Sequence, residues 1–143
     1  MIDLHPPASG LPLAGALLLC FAELSRLSPR VRHIALSIRP VAIIFCVTSV
    51  VVSFLTGYQA SSRASDITTA AEQAMALHHS FGKGLLVSSL LLATFFFLER
   101  VATHGKKAFM FLYYIFFMLQ VVGTIWVGTL GGELVFKHGI NVK

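Results

Sequence analysis

The chain has 143 residues, of which 56% are hydrophobic and only 12% charged, and its mean hydropathy is +0.80. Soluble domains carry about 25% charged residues, so a water-soluble monomer is excluded, as are a disordered chain and, with two Cys, a disulfide-stapled secreted domain. The net charge of +5 comes without any basic stretch interleaved with aromatics, which points to loops anchored at a membrane face and not to nucleic acid.

Four apolar runs predict four spanning helices. The first covers residues 11–27, with Pro12 near its start and Glu23 and Arg26 near its end. The second covers 41–58 and is opened by Arg39 and Pro40, proline being suited to a first helical turn. The third covers 77–98 and is stopped by Glu99 and Arg100; the fourth covers 108–130 and is ended by Gly131 and Gly132. Each run approaches the roughly 20 residues that a spanning helix needs, the first being the shortest. Their lengths, and the absence of period-two alternation, select helices over strands. Two connections, 28–39 and 101–107, are short and basic, while 59–76 is longer and polar, with an Ala-rich second half able to form a surface helix. The expected fold is all-α: a single transmembrane domain, residues 1–143, built as an integral membrane four-helix up-down-up-down bundle with both termini outside.

Charge sets the expected orientation. The end holding the two short connections carries seven Lys and Arg (Arg26, Arg30, Arg32, Arg39, Arg100, Lys106, Lys107) against Glu23 and Glu99. The other end carries Arg63, Lys83, Lys137 and Lys143 against Asp3, Asp66, Glu72 and Glu133. The positive-inside rule puts the basic end in the cytoplasm and the termini in the periplasm of a bacterial inner membrane. The first run has no Lys or Arg before it and no small-x-small site after it, so it reads as a retained helix and not as a cleaved signal peptide.

This topology sorts the six His. His33 and His104 fall at the basic end, whereas His5, His78, His79 and His138 converge on the outer ends of helices 1, 3 and 4. Neutral imidazole is the commonest metal ligand and also holds haem iron. At the start of a helix the positive dipole end disfavours imidazolium, which would keep His78 and His79 available. On a 3.6 period His78 shares its face with Gly82, Leu85, Ser89 and Ala93, and His79 shares its face with Lys83, Leu86 and Leu90, so His78 is the interior candidate. Gly82 and Gly84 would leave room for a flat macrocycle. Cys20 and Cys46 read as inert buried thiols. Glu23, Arg39, Glu99 and Arg100 could pair with one another, but interface anchoring accounts for them. Gln120 is expected to bond across to Thr48, Ser49 or Ser53. No P-loop, nucleophile elbow or zincin motif occurs, so a stand-alone enzyme is not expected.

Four segments carry a family resemblance: His5-Pro6 before the first helix; Leu-Thr-Gly-Tyr at 55–58; the His opening the third helix; and Gly-Gly-Glu-Leu-Val-Phe-Lys-His-Gly at 131–139. Over nearly its whole length the chain resembles the bacterial four-helix membrane family catalogued as domain of unknown function 2231. The family often follows its first His-Pro with His-Phe-Pro; here those positions read Gly10, Leu11, Pro12, so the second His is missing. Its frequent association with redox proteins and cytochromes implies electron transfer.

The expectation is therefore a membrane-embedded electron-transfer subunit binding a non-covalent b-type haem near the periplasmic face. His78 or His79 and His138 would be axial ligands, with His5 a third candidate. Its partners would be the other membrane subunits of a redox complex, a periplasmic electron carrier or quinone, and the lipid bilayer. The rival expectations are a cofactor-free structural subunit of a respiratory or photosynthetic complex, and a His-ligated copper or zinc site.

Overall fold

The computed structural model describes residues 5–62 and 67–140, and these are all-helical. A short helix α1 (His5–Ser9) leads through Gly10 into α2 (Leu11–Ser25), followed by α3 (Arg32–Ser61), α4 (Thr69–Val101) and α5 (Lys106–Phe136). At 30, 33 and 31 residues, α3, α4 and α5 are each long and apolar enough to cross a membrane. At 15 residues α2 is apolar but shorter; its rise of about 22 Å falls short of a hydrocarbon core of about 30 Å.

Three helix boundaries differ from those the sequence suggests. Pro40 lies inside α3 and does not open it. The preceding turns persist because Arg39 is gripped by other helices, and apolar helices in a bundle tolerate an internal proline when neighbours hold the chain. The second boundary is the start of α4. It begins at Thr69, with the Thr68 hydroxyl accepting from the Ala71 N–H at 3.3 Å and Glu72 in the first turn. The Ala-rich segment is thus continuous with the spanning helix. The signal was present: two Thr, a Glu, then a run of strong helix formers. Finally, α5 runs through Gly131 and Gly132 to Phe136, and the turn comes at Gly139, whose φ of +62° suits glycine. There the N–H groups of Gly139 and Ile140 bond back to the carbonyls of Val135 and Leu134.

Packing is most extensive between α4 and α5 and between α2 and α3. On α4 and α5 the contacts pair in descending register: His78 with Gly131, Leu85 with Gly123, Phe96 with Tyr113. The buried core draws on all four longer helices: Leu19, Ala22, Ala42, Ile43, Leu92, Phe96, Tyr113 and Phe117. Outward, Leu17, Phe21, Val41, Phe111 and Trp126 are all more than half exposed. So broad an apolar exterior suits lipid and not water.

One glycine decides how closely α2 approaches α3. A Cβ at Gly15 would stand 2.8 Å from the Cys46 Cα and 3.0 Å from the Ser49 Oγ. The nearer clash is with backbone, so it is relieved only by moving a helix. Gly15→Leu is expected to destabilise the protein by at least about 1–3 kcal/mol, read as a lower thermal midpoint in detergent. An unchanged midpoint would mean that the α2–α3 contact is not tight.

Candidate functional site

Two polar assemblies sit at opposite ends of the bundle. The first is built on Glu23, which is 8% exposed, and Arg39, which is 3% exposed. Arg39 Nε donates to Glu23 Oε1 at 2.5 Å, and the Tyr113 hydroxyl donates to the same oxygen at 2.6 Å. The other oxygen, Oε2, accepts from Arg26 Nη1 at 2.7 Å and from the Tyr114 hydroxyl at 3.3 Å. Above this the Arg39 guanidinium lies 5.1 Å from the centre of the Phe96 ring and 5.2 Å from that of Tyr113. Arg100 stands over the Phe96 ring at 4.5 Å.

Glu23 and Arg39 are therefore not interface anchors. They are buried partners 16 positions apart, and they bind α2, α3 and α5 into one unit. A buried carboxylate is tolerable only when its charge is neutralised and its lone pairs are used. Both oxygens here are fully engaged within the chain, so the arrangement works as a clamp with no open coordination.

The second assembly borders a half-open cavity of about 70 Å³ lined by residues of α1, α3, α4, α5 and the tail, among them His5, Gly57, Met75, His78, His79 and Gly131. Its two inner histidines are each seated on a glycine of another helix. A Cβ at Gly57 would lie 2.9 Å from the His5 ring, and one at Gly131 would lie 3.2 Å from the His78 ring. His5 Nδ1 is also 3.3 Å from the Thr56 hydroxyl. The His78 Nδ1 is buried with no hydrogen-bond partner. His79 stands beside it, with ring centres 6.2 Å apart.

The positions of the other expected residues follow from the helix boundaries. His78 and His79 lie more than two turns inside α4, beyond the reach of a helix-end dipole, so their availability rests on surroundings instead. The α4 face carrying His78 is the buried one: Leu85 and Ser89 are buried with it, while Lys83 and Leu90 on the His79 face are exposed. Gly82 faces Phe54 on α3, and Gly84 borders open space. The tail carries His138 past the chamber: it is half-buried but does not line the cavity, whereas Ile140 does. His33 and His104 are exposed. Among the described residues no group of three His, Cys, Asp or Glu is close enough to hold a metal ion.

Gln120 does not reach across to Ser49, whose hydroxyl donates to the Cys46 carbonyl at 2.7 Å. Both ends of its fully buried amide, and the hydroxyls of Ser88 and Thr124, have no protein partner. Sequence reasoning also passed over Met75. The signal was its spacing, three and four residues before His78 and His79, which puts all three on one side of α4.

No family model, curated protein or solved structure matches this chain.

The clamp generates a prediction. Glu23→Leu or Arg39→Leu, each leaving its partner buried and uncompensated, is expected to cost about 3–5 kcal/mol. The double variant should lose less than the sum, because the partners share one interaction. Thermal unfolding of the four proteins in the same detergent checks this. Strictly additive losses would show that the two side chains do not depend on each other.

Proposed function

We propose that the chain is a multi-pass subunit of a membrane redox complex and that its outer chamber holds a single metal centre through the imidazoles of His5 and His78. The observation that carries this reading is a cavity lined from different helices by His5 and His78, the His78 Nδ1 being buried with no hydrogen-bond partner. An unsatisfied buried nitrogen costs free energy, and a bound ion or ordered water is the usual remedy.

The size of the chamber favours a bare ion over a macrocycle. Sites for drug-sized ligands run to about 300–1,000 Å³, whereas about 70 Å³ is the space of a few waters or one hydrated ion. A haem held between His5 and His78 would require the ends of α3, α4 and α5 to part. Donor chemistry suits either group, and the small volume supports the ion. His79 stands as an alternative donor at the rim, and His138 lies outside this set. Membership of the family suggested by the terminal motifs belongs to the same proposal.

The orientation reading is that of an up-down-up-down bundle with the basic end in the cytoplasm, so that the chamber opens toward the periplasm. It rests on the seven basic residues against two acidic ones at the clamp end. Of the charges at the other end, Asp3, Arg63, Asp66 and Lys143 lie outside the described residues. Single cysteines at Ser62 and Lys107, in a background with Cys20 and Cys46 replaced by Ser, test it. An impermeant reagent applied to cells with a permeabilised outer membrane should label position 62 and not 107. The opposite pattern inverts the topology.

Metal content and the absorption spectrum of the purified protein test the site. One metal ion per chain, lost in His78→Ala and reduced in His5→Ala but retained in His33→Ala and His104→Ala, is the expected result. A Soret band that depends on the same two histidines would put haem in place of the ion. A protein that binds neither would leave a structural subunit.

A further inference from the structure

The chamber holds a donor that neither the haem reading nor a zinc reading uses. Met75 lies on α4 three and four residues before His78 and His79 and lines the same cavity. Residues so spaced share a helix face, so a thioether and two imidazoles are presented together from one helix, with His5 across from them.

We propose that the chamber is a copper(I) site in which the Met75 sulfur joins the imidazoles of His5 and His78. This rests on the metal reading above and names the ion. Two physical constraints point to it. The first is ligand softness: thioether with imidazole selects copper(I), whereas zinc sites take Cys, His and carboxylate donors, usually four of them. The described residues offer no group of three such donors in one place. Copper(I), a d10 ion content with two or three ligands, needs no more than two imidazoles and a thioether.

The second constraint is charge. None of the residues lining the chamber is acidic. On the exposed side of α5, Glu133 is paired with Lys137 at 2.6 Å. The described lining offers an ion only neutral donors, at the edge of a low-dielectric bundle. The cost of that burial rises with the square of the charge, so a monovalent ion is favoured about fourfold in solvation terms over a divalent one of similar size. The surroundings provide further support: Gly57 and Gly131 let the two rings sit directly on helix backbone.

The test uses the full chain purified in detergent under reducing conditions. Copper(I) is titrated in competition with a bicinchoninate chelator, and zinc(II) separately with a zinc-sensitive dye. The proteins are wild type, Met75→Leu, which conserves volume, and His78→Ala, each checked for helicity and elution. Wild type should bind one copper(I) per chain, with a sulfur scatterer in the copper X-ray absorption spectrum. Met75→Leu should lose the sulfur scatterer and at least about tenfold in copper(I) affinity, with zinc(II) affinity unchanged, while His78→Ala should weaken both metals. Tighter binding of zinc(II) than copper(I), or copper(I) bound equally well without Met75, overturns the copper(I) inference and leaves a metal site standing. No binding of either metal overturns both, and the wild-type sulfur signal decides the matter even if a variant misfolds.

Discussion

A carboxylate with four hydrogen-bond donors holds this bundle in register. Glu23 lies on the shortest of the four longer helices, the one least able to stay in place by spanning alone. Its oxygens are met by Arg26 from the segment after α2, by Arg39 from α3 and by Tyr113 and Tyr114 from α5. Between apolar helices in lipid there is little hydrophobic drive to associate, because lipid tails are as apolar as leucine. Directional bonds and close packing must supply the specificity. An α2 displaced by one turn would strand a buried carboxylate opposite Phe96 and Leu92, so this interaction penalises alternative registers more than it adds net stability.

From that fixed end the helices run to the opposite one, and the clamp and the chamber are connected by packing. The α4–α5 contacts descend in step, from Phe96 on Tyr113 to Leu85 on Gly123 to His78 on Gly131. Positions 78 and 96 are 18 residues apart, a rise of about 27 Å. The register imposed at Tyr113 is therefore the register that seats His78 on Gly131. Midway, Ser88, Gln120 and Thr124 form a polar level with unpartnered atoms, and ordered water is the ordinary way such atoms are satisfied. The core cluster, with Leu92 and Phe117 among its members, separates this level from the clamp.

The two ends also divide the chemistry. At the clamp both oxygens of the Glu23 carboxylate are matched by donors from the same chain, while the Arg26 Nε is buried with no hydrogen-bond partner. In the chamber the matching is incomplete. There the buried Nδ1 of His78 has no hydrogen-bond partner, and none of the described lining residues is acidic. A site in a membrane protein is more credibly located by what is left unsatisfied than by how many polar residues gather.

By itself the sequence determined the class: an all-helical chain of apolar runs, basic at one end, with histidines drawn toward the other. Those properties depend on local composition and on the length of apolar segments, which are additive along the chain. It also contained the T-T-A-A-E start of α4 and the spacing of Met75 to His78, although neither stood out against an apolar background. Only the tertiary structure decided that Glu23 belongs to Arg39, that His5 and His78 share a cavity, and that His138 lies beside that cavity and not within it. These depend on the rotational phase of each helix, on where α5 ends, and on the close approach that Gly15, Gly57 and Gly131 permit. A shift of one residue turns a helical side chain by about 100°, so a boundary read a few positions early sends a side chain to a different neighbour. Contacts between helices far apart in sequence are set by that phase, which no local pattern records.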